Sequence, residues 1–215
     1  MGRLEGQGHA QRAPAAAPRP APRVVRKLDR MDVTGLVLAA GEPVGAGGPY
    51  ALRKTDDGTP WLHIACTALR DAGCREVVVV LGAGADAAMA LVPRGALPVV
   101  ATDWRDGQAE ALRVGLAAAA TSSADAVLLT LVNVPEQTAA AGRHVLGAVA
   151  DDPRGTLARA HYDGKAGHPV LAGRDHWGDI AATVVGDMGI GDYLETHLTA
   201  DVDCTDLGGG EVVEE

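Results

Sequence analysis

Three short segments of this 215-residue chain carry residue types that could handle a phosphorylated ligand. The first is Gly41-Glu42-Pro43-Val44-Gly45-Ala46-Gly47-Gly48, entered through Leu38-Ala39-Ala40. A glycine-rich run after a strand lets backbone N–H groups approach a phosphate with no side chain in the way. It is neither GxGxxG nor a Walker loop, because no Gly-Lys-Ser/Thr follows, and taken alone it reads as a flexible loop. The second is Thr102-Asp103-Trp104-Arg105-Asp106-Gly107, opening a helix whose N-terminus attracts anions. Taken alone, an aspartate cap beside a packed tryptophan explains it. The third is Asn133-Val134-Pro135. A carboxylate there would hold a divalent cation against phosphates, whereas asparagine offers a weaker, neutral oxygen. His168, before a proline at a strand start, is a further candidate, although a lone histidine is more often structural.

These segments need a scaffold, and the apolar pattern supplies one. Val33–Leu38 is a short apolar run. Pro60–Ala72 has Leu62, Ala65, Cys66 and Leu69 at helical spacing and Gly73 just past its end. Val77-Val78-Val79-Val80 within Glu76–Leu81 predicts a strand buried on both faces, as in a parallel sheet. A short helix over Ala85–Leu91, a strand over Leu97–Ala101, a helix over Gly107–Ala120, a strand over Ala124–Val132 and a helix over Thr138–Ala150 continue the alternation. Such alternation predicts βαβ crossovers, a mostly parallel sheet and helices on both faces. Beyond residue 151 the rhythm changes. Thr156–His161 and Pro169–Leu171 read as strands flanking a turn, Asp163-Gly164-Lys165-Ala166-Gly167. Helices near His176–Ala182 and Ile190–His197 and a last strand over Ala200–Cys204 follow. In open sheets of this kind ligands sit beyond the carboxyl ends of the strands, where all three candidate segments fall.

Composition narrows the function classes. The net charge of −9 argues against nucleic-acid binding through phosphate neutralisation. Aromatics are 3% and Phe is absent, so Ala, Val and Leu must build the core. Cys66, Cys74 and Cys204 form no CxxC pair, which predicts a reducing, cytoplasmic setting and no structural zinc. No apolar run is long enough to cross a membrane, and no secretory signal is evident. Residues 1–31, rich in Ala, Pro and Arg, predict a disordered tail ahead of a domain over 32–215.

Taken in order, the segments resemble the MobA-like NTP transferases, which include the molybdenum-cofactor cytidylyl- and guanylyltransferases. The matching stretches are Leu38-Ala39-Ala40-Gly41 through Leu52, Ala72-Gly73-Cys74, Asp103-Trp104 with Gly107, and Leu112-Arg113-Val114-Gly115-Leu116. Leu131-Val132-Asn133-Val134-Pro135, Gly167-His168-Pro169-Val170, Gly186-Asp187-Met188-Gly189 and Asp206-Leu207-Gly208 complete them. The resemblance implies a Rossmann-like three-layer α/β/α nucleotidyltransferase domain. It implies Mg²⁺ and an NTP (CTP or GTP), a phosphorylated acceptor such as a molybdopterin, and molybdoenzyme-related partner proteins. It places Leu38, Ala39, Ala40, Gly41, Gly47, Asp103, Gly107 and His168 at the nucleotide, and Tyr50 and Asn133 at catalytic positions, with Asn133 at the metal. The departures share one direction. The family's loop arginine aligns with Gly45, its loop lysine with Tyr50 and its metal-binding aspartate with Asn133. A hydroxyl residue becomes Ala111, and the closing Asp-Val-Asp-Thr-Pro becomes Glu211-Val212-Val213-Glu214-Glu215. Arg53, Lys54, Asp106 and Glu110 are the nearby groups that could substitute. The resemblance therefore implies an enzyme with weakened activity or a binding homologue. A dinucleotide-dependent oxidoreductase would share the geometry, but this chain lacks the GxGxxG such an enzyme carries after the first strand.

Overall fold

The computed structural model describes residues 31–42, 47–149 and 152–214. Apart from Met31, the expected tail lies outside the described residues, as does Gly45. The chain order is β1 (Val33–Ala39), α1 (Trp61–Ala72), β2 (Glu76–Leu81), α2 (Ala85–Ala88), β3 (Ala96–Val100), α3 (Gln108–Ala120) and β4 (Ala126–Leu131). Then come α4 (Ala139–Gly147), β5 (Leu157–Tyr162), β6 (Lys165–Gly173), α5 (Trp177–Thr183), α6 (Ile190–Leu194) and β7 (Ala200–Asp203).

The seven strands form one sheet in the order β3-β2-β1-β4-β6-β5-β7. The pairs β3–β2, β2–β1, β1–β4 and β5–β7 are parallel, and β6 runs antiparallel to both its neighbours. The central strands are apolar on both faces because helices cover both. Every residue of β1 is buried. Val37, Val79, Leu128 and Leu171 pack with α1 and α4 on one side. Leu36, Val80, Leu129 and Val170 pack with α3, α5 and α6 on the other. The mostly parallel sheet and three layers expected from the alternation are present.

Three local expectations differ. β6 begins at Lys165, so the turn expected over Asp163–Gly167 shrinks to Asp163-Gly164, bracketed by the pair Tyr162 and Lys165. Asp163 (φ 51°) and Gly164 (φ 76°) both adopt the left-handed backbone, the requirement of a two-residue type I′ hairpin. The short helix expected over Ala85–Leu91 is α2 for its first half and a 3₁₀ turn over Met89–Leu91 for its second. α4 starts after Thr138, whose hydroxyl accepts from the Ala141 N–H, and ends at Gly147, short of Ala150, which lies outside the described residues.

Candidate nucleotide site

The strand order reverses next to β1: the chain steps outward through β2 and β3, then crosses back to β4 on the far side of β1. The carboxyl ends of β1 and β4 therefore diverge and leave a crevice, the general ligand position of open α/β sheets. A cavity of about 680 Å³ opens there. Leu38, Ala40 and Gly41 line it from the end of β1, and Leu131, Val132 and Asn133 from the end of β4. Trp104, Arg105, Gly107, Gln108 and Ala111 line it from α3 and the turn before it.

Six of the expected residues, Leu38, Ala40, Gly41, Tyr50, Gly107 and Asn133, meet in this one cavity. Ala39, Gly47, Asp103 and His168 do not line it. Strand alternation explains Ala39, which packs with the α1 layer while Leu38 and Ala40 face the α3 layer. Asp103 is exposed, and its side chain caps nothing. Gly47 is exposed at the described edge of the loop.

The base of α3 is built by backbone contacts. Gly107 holds φ +109°, and the Ala109 N–H just inside the helix donates to the Gly186 carbonyl at 2.9 Å. Arg113, one turn on, donates to the Ala181 carbonyl at 3.0 Å and to the Val184 carbonyl. The Ala109 bond fixes Gly186 against the helix start, the Arg113 bonds hold the chain just before it, and Asp187 lines the cavity.

Opposite, the C-terminal segment crosses the cleft. The Asn133 Nδ2 donates to the Val213 carbonyl at 2.7 Å, and the Val213 N–H donates to the Asn133 carbonyl at 2.9 Å. The Tyr50 hydroxyl donates to the Glu214 carbonyl at 2.9 Å. Burial raises the Tyr50 phenol above its ordinary pKa; Arg53 opposes the shift and Glu214 adds to it, so the hydroxyl stays a donor at neutral pH. Arg53 lies over both the Tyr50 and Trp61 rings, at 5.5 and 5.7 Å. Sequence reasoning missed Glu42, Gln108 and the lining role of Val212 and Glu214. The one available signal was that Glu42 and Gln108 fall at the ends of strand-following segments.

Among the described residues that line the cavity, Glu42, Asp187 and Glu214 carry carboxylate oxygens and Asn133 an amide oxygen. Asn133 commits its Nδ2 donor to the Val213 carbonyl, which leaves its Oδ1 as the side-chain acceptor. Among the described residues no group of three His, Cys, Asp or Glu is arranged to hold a metal.

His168 sits on β6, where its carbonyl accepts from the Tyr162 hydroxyl at 2.8 Å. Its Nδ1 is sealed from solvent without a hydrogen-bond partner, and burial pulls the imidazole down to about 4. The unfolded chain, with an imidazole near 6.5, takes up the proton first. This contribution to stability is therefore complete above pH 6.5 and declines as pH falls towards 4. At about 1.4 kcal/mol per pKa unit, the loss by pH 4.5 should approach ~2–3 kcal/mol. Urea unfolding at pH 7.5 and 4.5 checks it: His168→Leu should lose less stability over that interval than the parent, and parallel losses would refute the assignment.

The family model for the MobA-like NTP transferase domain matches residues 35–202. The chain is 32% identical over 193 residues to nicotine blue oxidoreductase of Paenarthrobacter nicotinovorans, covering 85% of this chain and 92% of that protein. It is similar to the crystal structure of Rv0371c from Mycobacterium tuberculosis H37Rv, with TM-score 0.69, 27% identity, and coverage of 80% of this chain and 88% of that one. A manganese complex of Rv0371c matches with TM-score 0.66 and 26% identity, over 80% and 88% of the two chains. Molybdopterin-guanine dinucleotide biosynthesis protein A from Archaeoglobus fulgidus shares the fold, with TM-score 0.57 and 12% identity over 81% of this chain and 85% of that one. The crevice between β1 and β4, the Leu-Ala-Ala-Gly entry and the match to the family model agree, and this chain belongs to the MobA-like NTP transferase domain family.

Proposed function

We propose that this chain binds CTP or GTP in the cleft between β1 and β4 and transfers the nucleotidyl group slowly to a phosphorylated small molecule such as a molybdopterin. The observation that carries the reading is the cavity itself. Its β1 end keeps the small, side-chain-poor entry Ala40-Gly41 that admits a phosphate chain, at the one place where the strand order reverses. Slowness follows from Tyr50 and Asn133, which stand where a cation and a carboxylate would act and bind the C-terminal segment instead. Removing one such electrostatic group from a site costs roughly a hundredfold or more in rate. Divalent-metal use, with Mg²⁺ foremost, would rest mainly on the nucleotide's own oxygens. Molybdoenzyme-related partners follow from the acceptor and depend on it. The free, buried state of Cys66, Cys74 and Cys204 supports a reducing setting such as the cytoplasm.

A second reading, nucleotide or partner binding without transfer, is favoured by the commitment of the Asn133 amide to Val213. One experiment separates the two. Calorimetry with CTP and GTP in Mg²⁺ or Mn²⁺ measures binding, and pyrophosphate release with a molybdopterin acceptor measures transfer. Binding with slow release supports the first reading; binding with none supports the second. Absence of nucleotide binding refutes the first reading and the nucleotide half of the second. NADH and NADPH in the same titration extend the test to the redox chemistry named in the Paenarthrobacter relative.

A further inference from the structure

Among the described residues, two strands of the sheet have one neighbour each, β3 at one end of the order and β7 at the other. Such edges expose backbone groups to which a second chain can add a strand. β7 is 4 residues long and carries Asp201 and Asp203, both exposed, so two copies meeting there would set carboxylates against each other. β3 has no such charge. It reads Ala96-Leu97-Pro98-Val99-Val100, with Leu97 53% and Val100 43% exposed. Apart from its proline, this is the short, apolar, uncharged pattern that self-associates most readily.

The direction of the backbone groups shows what the proline does. The Ala101 N–H, just past the strand, donates to the Leu81 carbonyl of β2 at 2.8 Å. Backbone groups alternate between the two sides of a strand, so Val99 and Leu97 also face β2, while Val100, Pro98 and Ala96 face the open edge. Pro98, in register with Val79, therefore takes nothing from the ladder between β2 and β3 and removes a donor from the free side. The Ala96 N–H is already spent on the Pro93 carbonyl at 3.0 Å, which leaves Val100 to supply the strand's outward N–H. Two copies joined antiparallel about a two-fold axis at this edge would centre on Pro98 facing Pro98. That is the pair which, with any other residue, would exchange both of its hydrogen bonds.

We propose that Pro98 closes the β3 edge to a second copy of this chain. The proline stands at the outward position nearest the middle of the strand, between the exposed Leu97 and Val100, where one missing donor disrupts the pairing most.

Sedimentation of the full chain tests it with Pro98→Val, which restores the outward N–H and suits a strand. The mass of this variant should rise with protein concentration to about twice that of the parent, as a closed two-fold pair requires. Adding Leu97→Lys should return it to the parent's mass, because a charge at the edge opposes pairing. Leu97→Lys alone should leave the parent's mass unchanged. A Pro98→Val protein whose mass follows the parent's at every concentration overturns the proposal. So does growth in mass that Leu97→Lys does not reverse, which marks misfolding or another contact. A parent whose own association is abolished by Leu97→Lys also overturns it, since the edge would then be open despite the proline. If Pro98→Val loses the parent's cooperative thermal unfolding, Pro98→Ala restores the same donor with a smaller side chain and carries the same expectations.

Discussion

Gly107→Ala should lower the stability of this domain by roughly 3 kcal/mol or more, through backbone strain and a backbone clash together. At φ +109° the position suits glycine alone. A Cβ there would lie 2.2 Å from the Gly186 carbonyl oxygen and 2.3 Å from its carbon. Both obstacles are main chain, so no side chain can rotate aside. Nor can the loop retreat freely, since the Ala109 N–H ties Gly186 to α3 and the Arg113 guanidinium ties Ala181 and Val184 just before it. In a chain of this size the expected fall in Tm is roughly 6–12 °C. Gly147→Ala is the matched control, because its Cβ would meet nothing within 4 Å. That variant should unfold at or slightly above the parent temperature. Equal melting of the two variants would contradict the role given to the Gly107–Gly186 contact. The contact matters for function because it sets Gly107, Gln108 and Asp187 on the same side of the cavity.

The second large effect concerns catalysis. Tyr50→Lys combined with Asn133→Asp should raise nucleotidyl transfer about a hundredfold, the scale of a single electrostatic group in a water-poor site. Two changes act together. Lysine and aspartate restore the family's cation and carboxylate. They also remove two of the three hydrogen bonds described to the C-terminal segment, the Asn133 Nδ2 bond to the Val213 carbonyl and the Tyr50 bond to the Glu214 carbonyl, and leave only the backbone bond from the Val213 N–H to the Asn133 carbonyl. The loosened segment should be cut sooner by protease in the double variant. Faster cleavage with no gain in transfer would mean that the segment is held as described but that charge loss is not what limits the chemistry.

Much of the scaffold was legible because its signals are local. Val77-Val78-Val79-Val80 can be buried on both faces only in a sheet covered on both sides, and it is. Gly73 ends α1 because its φ of +124° suits no other residue so well. The β5–β6 hairpin was misplaced because Lys165, Ala166 and Gly167 look like turn residues, while the Asp163-Gly164 pair alone makes the turn. At the site, the resemblance led to the expectation of Leu38, Ala40, Gly41 and Gly107 at the nucleotide and of Tyr50 and Asn133 at catalytic positions, since each falls where its motif does. What those residues do here was not legible. Tyr50 binds a residue 164 positions away and Asn133 one 80 positions away, and no local pattern encodes such pairs. Arg105 was visible only as a neighbour of Trp104; its place on the cavity wall depends on how the turn before α3 packs.

The most direct test is single-turnover pyrophosphate release, with CTP or GTP bound in saturating Mg²⁺ and a molybdopterin acceptor present, for the parent and the Tyr50→Lys, Asn133→Asp variant side by side. The result expected is that both proteins hold nucleotide while release is slow in the parent and about a hundredfold faster in the variant. A parent that already releases pyrophosphate as fast as the variant would contradict the view that this cleft has kept its nucleotide and surrendered the charges that drive transfer.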